Sequence, residues 1–286
     1  MNNMAFPRTT VAGISLPRLL IGSNWFMGFS HTSASADAMI RARYQTKEDF
    51  AQLFEAYLEY DINAIMAIFG GQQALLDGVK LAEDRTGKQL ILIDTPPLNV
   101  DNNEEGRAQA RKVIEESRKN GCTFCFPHHS STEQLVCKNT CSIDRLPDYL
   151  DMIRQNGMIP GLSAHMPELI LYSDLQGYDV ETYVQIYNCM GFLMQVEVEY
   201  IHKVIWEARK PVMTIKSMAA GRVSPFVGLT FSFSTIRPQD MVTLGAHTPA
   251  EVHEDVEIAR AAIERRRPDL EGRSSPHKSA ALGGEK

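Results

Sequence analysis

Two adjacent histidines, His128 and His129, follow a short apolar run and precede the hydroxyl-rich stretch "SSTE". Imidazole can donate or accept a proton near neutral pH, and it is also a common metal ligand. A single histidine at the end of a strand is nevertheless more often a structural hydrogen-bonding group. The pair therefore indicates a catalytic or metal-binding site only if other reactive side chains lie beside it.

Further polar side chains stand at or just after the ends of other apolar runs. These are His31, Asp94, His165, Asn188, Lys216 and His247. If the runs are parallel strands of one barrel, their carboxyl ends lie on a single rim, where such folds carry their active sites. We therefore expect a small-molecule site on this rim, in which His128, His129 and Lys216 are the catalytic residues.

A carboxylate together with imidazoles is a suitable ligand set for a divalent ion such as Zn, Mn, Fe or Co. The sequence predicts that Asp94, His129 and His165 form this set, with open positions for water or a substrate oxygen. The ion would polarise a carbonyl or hydroxyl group while an unligated histidine moves a proton. Glu133 is a further acid that could complete the site.

Asp94 and Lys216 each allow more than one interpretation. Asp94, in "LIDTPP", could instead be a structural carboxylate that accepts hydrogen bonds from the amides of the following loop. Lys216, in "TIKSMAAGR", could clamp a phosphate or carboxylate, act as an amine of lowered pKa, or pair with a neighbouring acid. The sequence leaves these alternatives open.

The chain has five cysteines, an odd number, and most lie in apolar segments that are typical of buried reduced thiols. Cys122 and Cys125, with Cys137 and Cys141, have a spacing that could form a zinc tetrad. The first pair falls inside a predicted strand, however, where residues three apart point to opposite faces. We therefore favour core thiols over a zinc site and over a disulfide framework.

The composition is that of an ordinary globular protein, with 286 residues, 44% hydrophobic and 22% charged. A net charge of −6 and the lack of a dense basic cluster before 265–267 argue against a nucleic-acid partner. No apolar run approaches the roughly 20 residues of a membrane span, and the N-terminus lacks a signal sequence. We expect a cytoplasmic protein with a small-molecule substrate, and a homo-oligomer remains an open alternative.

Eight short apolar runs alternate with segments of helical periodicity, without an intervening linker, which indicates one domain over residues 1–267. The predicted strands are Leu19–Asn24, Ile62–Phe69, Leu90–Asp94, Thr123–Pro127, Met158–Ser163, Tyr183–Tyr187, Pro211–Lys216 and Met241–Gly245. The clearest helix starts are Thr46, with Asp49 in a capping box, and Thr248, which precedes a proline. Further helices are predicted at 71–84, 104–119, 144–155, 167–175 and 193–209.

Eight such units in about 250 residues have the size and rhythm of a closed (β/α)8 TIM barrel, an α/β fold. An open doubly wound sheet is the competing architecture, but the glycine-rich turn of dinucleotide-binding sheets does not follow the first strand. We expect a short N-terminal hairpin at Thr10–Leu16 with Gly13 in its turn. Residues 223–236 are predicted to be an irregular insertion, and 268–286 a flexible, disordered tail.

Several motifs, taken in order, resemble the aldo-keto reductase superfamily over residues 8–266. The hairpin followed by "LPRLLIGSNWFMG" resembles that family's barrel-bottom hairpin and first strand. "LDMIRQNGMIPGLSAHMPELI" and "VQIYN" are similar to its fourth helix, fifth strand and sixth strand. "KPVMTIKSMAAGR" and "DMVTLGAHTPAEVHEDVEIA" resemble its seventh and eighth units, where the family binds the phosphate end of NADP(H). The resemblance implies a barrel in which Lys216, Ser217, Gly221 and Arg222 contact that cofactor.

The same resemblance implies a catalytic tetrad of aspartate, tyrosine, lysine and histidine, which this sequence largely lacks. Met66 and Phe69 stand at the best matches for the aspartate and tyrosine, and neither can transfer a proton. The lysine position falls at Asp94 or Thr95, and only the histidine is retained, as His128. Ketone reduction without the tyrosine loses a general-acid contribution of roughly 10²- to 10⁴-fold.

Three functional hypotheses follow from these residues. The first is an isomerase, epimerase or lyase that acts on a polyol or keto-sugar by metal-assisted or acid–base chemistry. The second is an NADP(H)-dependent oxidoreductase with a rearranged site. The third is a non-catalytic barrel that binds a ligand or a protein partner.

Overall fold

The computed structural model describes residues 5–270, and these begin with a β-hairpin. Strand β1 (Arg8–Val11) pairs antiparallel with β2 (Ile14–Pro17). Ala12 and Gly13 connect them, and both have a positive φ, as a two-residue hairpin turn that matches the strand twist requires. The predicted hairpin, with Gly13 in its turn, is therefore confirmed.

Nine short parallel strand segments form the central sheet, and a small antiparallel hairpin interrupts their sequence. The parallel segments are β3 (Leu19–Gly22), β4 (Ala64–Ala67), β5 (Ile91–Asp94), β6 (Phe124–Cys125), β9 (Ile159–Pro160), β10 (Leu162–Ser163), β11 (Tyr183–Ile186), β12 (Val212–Ile215) and β13 (Met241–Leu244). The small hairpin consists of β7 (Val136–Cys137) and β8 (Ser142–Ile143).

The central sheet closes into a barrel at the break between β9 and β10. These two segments lie at opposite ends of the strand order, where β9 pairs with β6 and β10 pairs with β11. Only Gly161 separates them in the chain, so the two ends of the sheet meet. A Cβ atom at Gly161 would lie 2.5 Å from Cε1 of Phe126, so only glycine fits this close approach. The eight units form the predicted (β/α)8 barrel rather than an open sheet.

Helices follow the barrel strands. They are α1 (Asn24–Met27), α2 (Ala34–Arg43), α3 (Lys47–Leu58), α4 (Gln73–Thr86), α5 (Glu104–Lys119), α6 (His129–Thr132), α7 (Leu146–Gln155), α8 (Glu168–Gln176), α9 (Val198–Glu207), α10 (Pro225–Thr235) and α11 (Pro249–Glu264). The short helices α1 and α6 lie at the carboxyl rim, and the longer helices pack on the outer face of the barrel. A 3₁₀ turn, Glu133–Leu135, continues from α6. The capping box of Thr46 and Asp49 is present at the start of α3, and Thr248 caps α11.

The prediction of an irregular insertion at 223–236 is wrong, because most of this segment forms α10. The local signals for a helix are present: Ser224 accepts a hydrogen bond from the amide of Val227, and Pro225 occupies the first turn. Phe226 and Val227 are exposed apolar residues, and they obscure the periodicity that would identify the helix from sequence.

Apolar side chains fill two layers, one inside the barrel and one between strands and helices. The inner layer consists of Leu20, Ala64, Met66, Ile93, Phe124, Phe126, Val184, Met213 and Met241, with Val11 and Leu16 of the N-terminal hairpin packed against them. The alternate residues of each strand face the helices. The hairpin therefore closes the amino-terminal end of the barrel, and the interior is packed up to the level of the opposite rim.

The cysteines do not form the zinc tetrad that their spacing allows. Cys122 and Cys125 are buried, whereas Cys137 and Cys141 are partly exposed in the small hairpin. Across residues 5–270, the one three-residue group with metal-ligand spacing contains no cysteine.

No helix in residues 5–270 is long and apolar enough to span a bilayer. The domain limit at residue 267 stays a prediction. The predicted disordered tail at 268–286 lies, beyond its first three residues, outside the described part of the chain.

A buried ion pair stabilises the amino-terminal ends of the last two barrel strands. The Arg237 guanidinium donates to both carboxylate oxygens of Asp240, at 2.8 and 2.7 Å. The two side chains are 8% and 0% exposed. The carboxylate also accepts from the amide of Val212 at 2.9 Å, so it joins the start of β12 to the segment before β13.

We expect the substitution Asp240→Asn to lower the free energy of unfolding by about 3–5 kcal/mol, because it leaves the Arg237 charge buried without a counterion. Denaturant unfolding followed by circular dichroism measures this loss. The matched control is Glu207→Gln, which removes an exposed pair with Lys203 and should change stability by less than about 1 kcal/mol. Equal losses in the two variants would show that the buried pair is not a stabilising element.

Candidate active site

A cavity of about 360 Å³ opens at the carboxyl ends of the barrel strands. Its walls include Gly22, Met66, Thr95, His128, Ser163, His165, Ile215, Ser217, Thr243 and Gly245. Side chains two residues apart on a strand point in the same direction. These wall positions therefore face inwards, because each lies on the same side of its strand as a residue of the barrel interior. The polar side chains on this rim therefore enclose one space, which is large enough for a small organic molecule.

His129, Glu133 and His165 form a compact cluster in this region. Ligand atoms of the three side chains all lie within 4.8 Å of one another. The Nδ1 atom of His129 is 3.7 Å from Oε2 of Glu133, and the His129 and His165 rings stack with their centroids 3.6 Å apart. Both histidines also line the cavity. The cluster combines one carboxylate with two imidazoles, which is a set suited to moving protons.

Glu133 is held in place by the loop that follows β10. Its Oε1 atom accepts hydrogen bonds from the backbone amides of His165, at 2.7 Å, and Met166, at 3.0 Å. Burial alone raises the pKa of the Glu133 carboxyl, but the neighbouring His129 ring and the hydrogen bonds from the two amides outweigh it and lower the pKa. Glu133 is therefore a carboxylate at neutral pH, and it fixes the loop that carries His165.

The stacking of the two rings determines how this cluster could bind a metal. An ion bonded to two imidazoles lies in the plane of both rings, since the nitrogen lone pairs lie in those planes. The His129 and His165 rings are inclined by only 20° and lie face to face. Their lone pairs therefore do not converge on a common point, and one ring must rotate before both can bind an ion with Glu133.

His128 has a defined hydrogen-bonding role at the start of α6. Its Nδ1 atom accepts from the amide of Ser130 at 3.3 Å and lies 2.8 Å from the Ser130 hydroxyl. An accepting Nδ1 places the proton of the neutral ring on Nε2. Because His128 lines the cavity, this N–H is a hydrogen-bond donor available to a ligand oxygen.

The imidazoles of His128 and His165 are neutral at physiological pH. Burial, together with the neighbouring His129, lowers the pKa of His128 to about 4. The same causes, with a contribution from Lys216, lower the pKa of His165 to about 3. These groups can donate or accept hydrogen bonds in the cavity without carrying charge.

Lys216 and His31 meet on another wall of the cavity. The Nζ atom of Lys216 lies 3.0 Å from Nε2 of His31. Burial lowers the pKa of Lys216 to about 8 and, with the charge of Lys216, also lowers the pKa of His31. The cavity thus contains one lysine and four histidines, and the carboxylates of Glu133 and Asp37 lie beside it.

Two buried hydroxyl groups of the cavity wall have no hydrogen-bond partner within the described residues. They belong to Ser217, two residues after the end of β12, and Thr243, in β13. The Nδ1 atom of His129 is also buried and makes no hydrogen bond within these residues, since Oε2 of Glu133 lies 3.7 Å away. Buried polar groups in native proteins are almost always satisfied, so these three atoms mark positions where a ligand or water would bind.

Asp94 does not join the histidines. Its carboxylate accepts hydrogen bonds from the Ser117 hydroxyl of α5, at 2.6 Å, and from the Phe69 amide, at 3.2 Å. It is 1% exposed on the helix-facing side of β5, where burial raises its pKa to about 6. Thr95, the next residue, lines the cavity instead. The structural interpretation of Asp94 as an acceptor for loop amides agrees with this placement.

The structure brings together His128, His129, His165 and Lys216 from the predicted set, and Ser217 and Gly221 line the same cavity. Arg222 lies beside it, with its guanidinium over the Phe192 ring and donating to the His31 carbonyl at 3.4 Å.

His247 contributes differently from the other rim histidines: its Nδ1 atom lies 3.2 Å from the carbonyl oxygen of Trp25, and it does not line the cavity.

Glu133 and Thr243 are two residues of this region that the predicted catalytic and metal-binding sets do not contain. Glu133 follows His129 by four residues, which is the spacing of neighbours on a helix face, and α6 with its 3₁₀ turn supplies that geometry. Thr243 has no comparable signal, because it lies within an otherwise apolar strand. Met66 lines the cavity and Phe69 is fully buried, so these two positions supply no proton donor.

Comparisons with known proteins show the fold. No protein-family model and no curated protein sequence matches the chain. Among solved structures, a candidate aldo-keto reductase from Pseudomonas aeruginosa is 15% identical, with a TM-score of 0.66 over 92% of this chain and 98% of that chain. A Klebsiella pneumoniae aldo/keto reductase in complex with NADP and acetate is 12% identical, with a TM-score of 0.53 over 99% and 97%.

A ribulose-1,5-bisphosphate carboxylase/oxygenase from Pyrococcus horikoshii is also similar, at 14% identity and a TM-score of 0.52 over 84% of this chain and 60% of that chain. At such identities the likeness extends to the shared barrel and not to a reaction. The chemistry must therefore be inferred from the site itself.

An ordinary imidazole has a pKa of about 6.5 and becomes protonated below that pH. We expect the His128 and His165 rings to remain neutral as the pH is lowered from about 6.5 to about 4. Two-dimensional ¹H–¹⁵N NMR of the ring nitrogens measures both titrations. Because the unfolded chain then binds more protons than the folded one, the free energy of unfolding should fall as the pH decreases through this interval.

Assignment of these signals uses His128→Gln and His165→Gln, each of which should remove one titrating ring. Midpoints near the ordinary value for both rings would mean that neither is desolvated in the folded protein.

Proposed function

We propose that this chain is a small-molecule enzyme that transfers a proton at a carbon next to a carbonyl group, as an isomerase, epimerase or lyase of keto-sugars or polyols. One observation carries this proposal: the carboxylate of Glu133 and the imidazoles of His129 and His165 converge within 4.8 Å beside a cavity of substrate size. A positioned acid–base group of this kind contributes about 10²- to 10⁴-fold to a proton transfer.

Each residue has a role in this chemistry that its contacts support. The Glu133 carboxylate lies 3.7 Å from Nδ1 of His129, so it can balance the charge that His129 gains when it takes a proton from the substrate carbon. The Nε2–H of His128 can donate to the carbonyl oxygen, and the Lys216 ammonium can stabilise the negative charge that develops there. Return of the proton to the neighbouring carbon, or to the opposite face, completes an isomerisation or epimerisation.

A divalent ion is a second way in which the same cluster could polarise the substrate oxygen. His129, Glu133 and His165 offer two nitrogens and one oxygen, a donor set that suits Zn, Mn, Fe or Co. Rotation of one imidazole ring from its stacked position is required. In that case an open coordination position would supply Lewis-acid activation, and Asp94 would take no part because it bonds to Ser117.

We expect the protein to exchange the hydrogen next to the carbonyl of a substrate keto-sugar for solvent deuterium, and Glu133→Gln and His165→Ala to reduce the rate at least about 10²-fold. Proton NMR in D₂O with fructose, tagatose, xylulose and dihydroxyacetone measures the exchange. The same measurement after EDTA treatment, and after addition of Zn²⁺ or Mn²⁺, separates metal-free from metal-assisted chemistry.

The matched control is Glu199→Gln, which changes an exposed glutamate of α9 and should leave the exchange rate unaltered. Exchange in Glu133→Gln at the wild-type rate, or no exchange by the wild-type protein above a protein-free blank, would refute the proposal. In the latter case a barrel that binds a ligand or protein partner without catalysis becomes the better interpretation.

An NADP(H)-dependent oxidoreductase is the second candidate, and the buried, unpartnered hydroxyl of Ser217 favours it. The residues around it fit a cofactor phosphate: Lys216 is a cation, Arg222 is exposed beside the cavity, and Gly221, with φ 80°, keeps the loop backbone accessible. When bound, NADP(H) would supply the hydride. The positions of Met66 and Phe69 provide no acid for ketone reduction, so such a reaction would depend on His128.

If this candidate is correct, NADPH binds with enhanced nucleotide fluorescence, and Arg222→Ala weakens the affinity about tenfold by removing a charged hydrogen-bond donor. Arg209→Ala, at an exposed arginine outside the cavity, serves as the control and should bind as the wild type does. An unchanged NADPH fluorescence signal across the titration would exclude the nicotinamide cofactor.

A further inference from the structure

The side chain of Lys216 has no acidic partner in the described part of the chain. None of the ion pairs within residues 5–270 includes it, although it lines the cavity and its Nζ atom is within hydrogen-bonding distance of His31. A partly buried lysine without a counterion is less favourable as an ammonium than a lysine in water, and this shifts it towards the neutral amine. This environment excludes the interpretation of Lys216 as one half of a structural ion pair.

His31 is oriented to accept a proton from this lysine. Its Nε2 atom lies 3.2 Å from Nδ2 of Asn24 as well as 3.0 Å from Nζ of Lys216. An amide nitrogen can only donate, so Nε2 of the neutral ring is the acceptor and its proton lies on Nδ1. The imidazole is thus placed to take a proton from the Lys216 ammonium and to return it later.

The backbone at both residues is strained. Lys216 has φ 63° and His31 has φ 56°, in the left-handed region that residues with a side chain rarely adopt. At Lys216 this conformation ends β12 and directs the lysine into the cavity rather than along the outward face that strand alternation would give it. Two strained residues whose side chains meet in a cavity are typical of functional positions.

The lowered pKa supports a reactive amine. With a pKa of about 8, Lys216 has about two-hundredfold more neutral amine at pH 7 than a lysine of ordinary pKa, near 10.4. Other charged or titratable groups of this part of the cavity are His128, His129, His165, Arg222, Glu133 and Asp37. Neither carboxylate pairs with Lys216: Glu133 accepts from the amides of His165 and Met166, and Asp37 accepts from Ser30.

We propose that Lys216 is a covalent nucleophile that forms an imine with the aldehyde or ketone group of a hydroxylated substrate. The inference rests on the proposed proton-transfer function and names the class of its substrate. The neutral Nζ atom attacks the carbonyl carbon and a C–N bond forms. The carbonyl oxygen takes up two protons, one transferred from the attacking nitrogen by way of His31 and one from solvent, and leaves as water. The nitrogen keeps its second hydrogen, so the product is a protonated imine.

The imine connects Lys216 to the acid–base cluster. A protonated imine withdraws electrons from the neighbouring C–H bond, which His129 and Glu133 could then deprotonate. The unpartnered hydroxyls of Ser217 and Thr243 lie in the same cavity wall and can bind hydroxyl groups of the substrate. Hydrolysis by one water restores the lysine and releases the product carbonyl.

Chemical trapping tests this step on the full chain. The protein is incubated at about pH 7 with dihydroxyacetone or glyceraldehyde and sodium cyanoborohydride, which reduces an imine to a stable secondary amine. Peptide mass spectrometry then gives the modification rate of each lysine. We expect Lys216 to be modified at least tenfold faster than Lys203, although the Lys203 side chain is 65% exposed.

His31→Gln should slow the modification of Lys216 at least threefold and leave that of Lys203 unchanged, which a merely structural role of His31 would not produce. Lys216→Arg retains the positive charge but cannot form an imine, and its adducts should be confined to surface lysines. Modification of Lys216 no faster than that of Lys203 in the wild-type protein would overturn the inference, and that experiment depends on no variant.

Deuterium exchange distinguishes the failure of this inference from that of the proposed function. Full exchange activity in Lys216→Arg would eliminate the imine while the acid–base function stands. Rapid trapping at Lys216 without any wild-type exchange would support the nucleophile and refute the proton transfer.

Discussion

Alternation of side chains along the parallel strands is the constraint on which the cavity depends. Each strand turns every second residue towards the barrel interior, and the last inward positions of neighbouring strands meet at the carboxyl rim. His128, Ser163 and Thr243 reach the cavity for this reason. Asp94 is excluded by the same rule, because a displacement of one residue places it against α5. Closure of the sheet at Gly161 joins these separate strand ends into one enclosing wall.

The electrostatic character of the site follows from the basic side chains that the barrel places around the cavity. Four histidines and one lysine share the cavity, whereas Glu133 is the one acid of the described cluster. Desolvation removes charge from His128 and His165, so these rings act as neutral hydrogen-bonding groups. The pKa of Lys216, about 8, lies close to neutral pH. A carbonyl compound would therefore find donors for its oxygen, a base for its C–H bond and an amine within the same small volume.

Local signals in the sequence were sufficient for the barrel, because strand length, alternation of helix and strand, and the caps at Thr46 and Thr248 are encoded by neighbouring residues. The orientation of Asp94 was not readable, since β5 is apolar on both faces and its two registers look alike. Helix α10 was missed because exposed apolar residues obscure its period. Lys216 and His31 are 185 positions apart in the chain, and their contact depends on a left-handed backbone conformation at each residue. No local sequence pattern indicates either conformation.

The N-terminal hairpin determines the route by which a substrate enters the barrel and a product leaves it. Val11 and Leu16 close the amino-terminal end of the barrel. A molecule that binds beside the histidines therefore enters and leaves through the opening at the carboxyl end. A reaction with two partners would then have to be ordered, because the first arrival obstructs the passage of the second. A product would likewise have to dissociate before the next substrate molecule could bind. The turnover rate would then depend on the rate of product release.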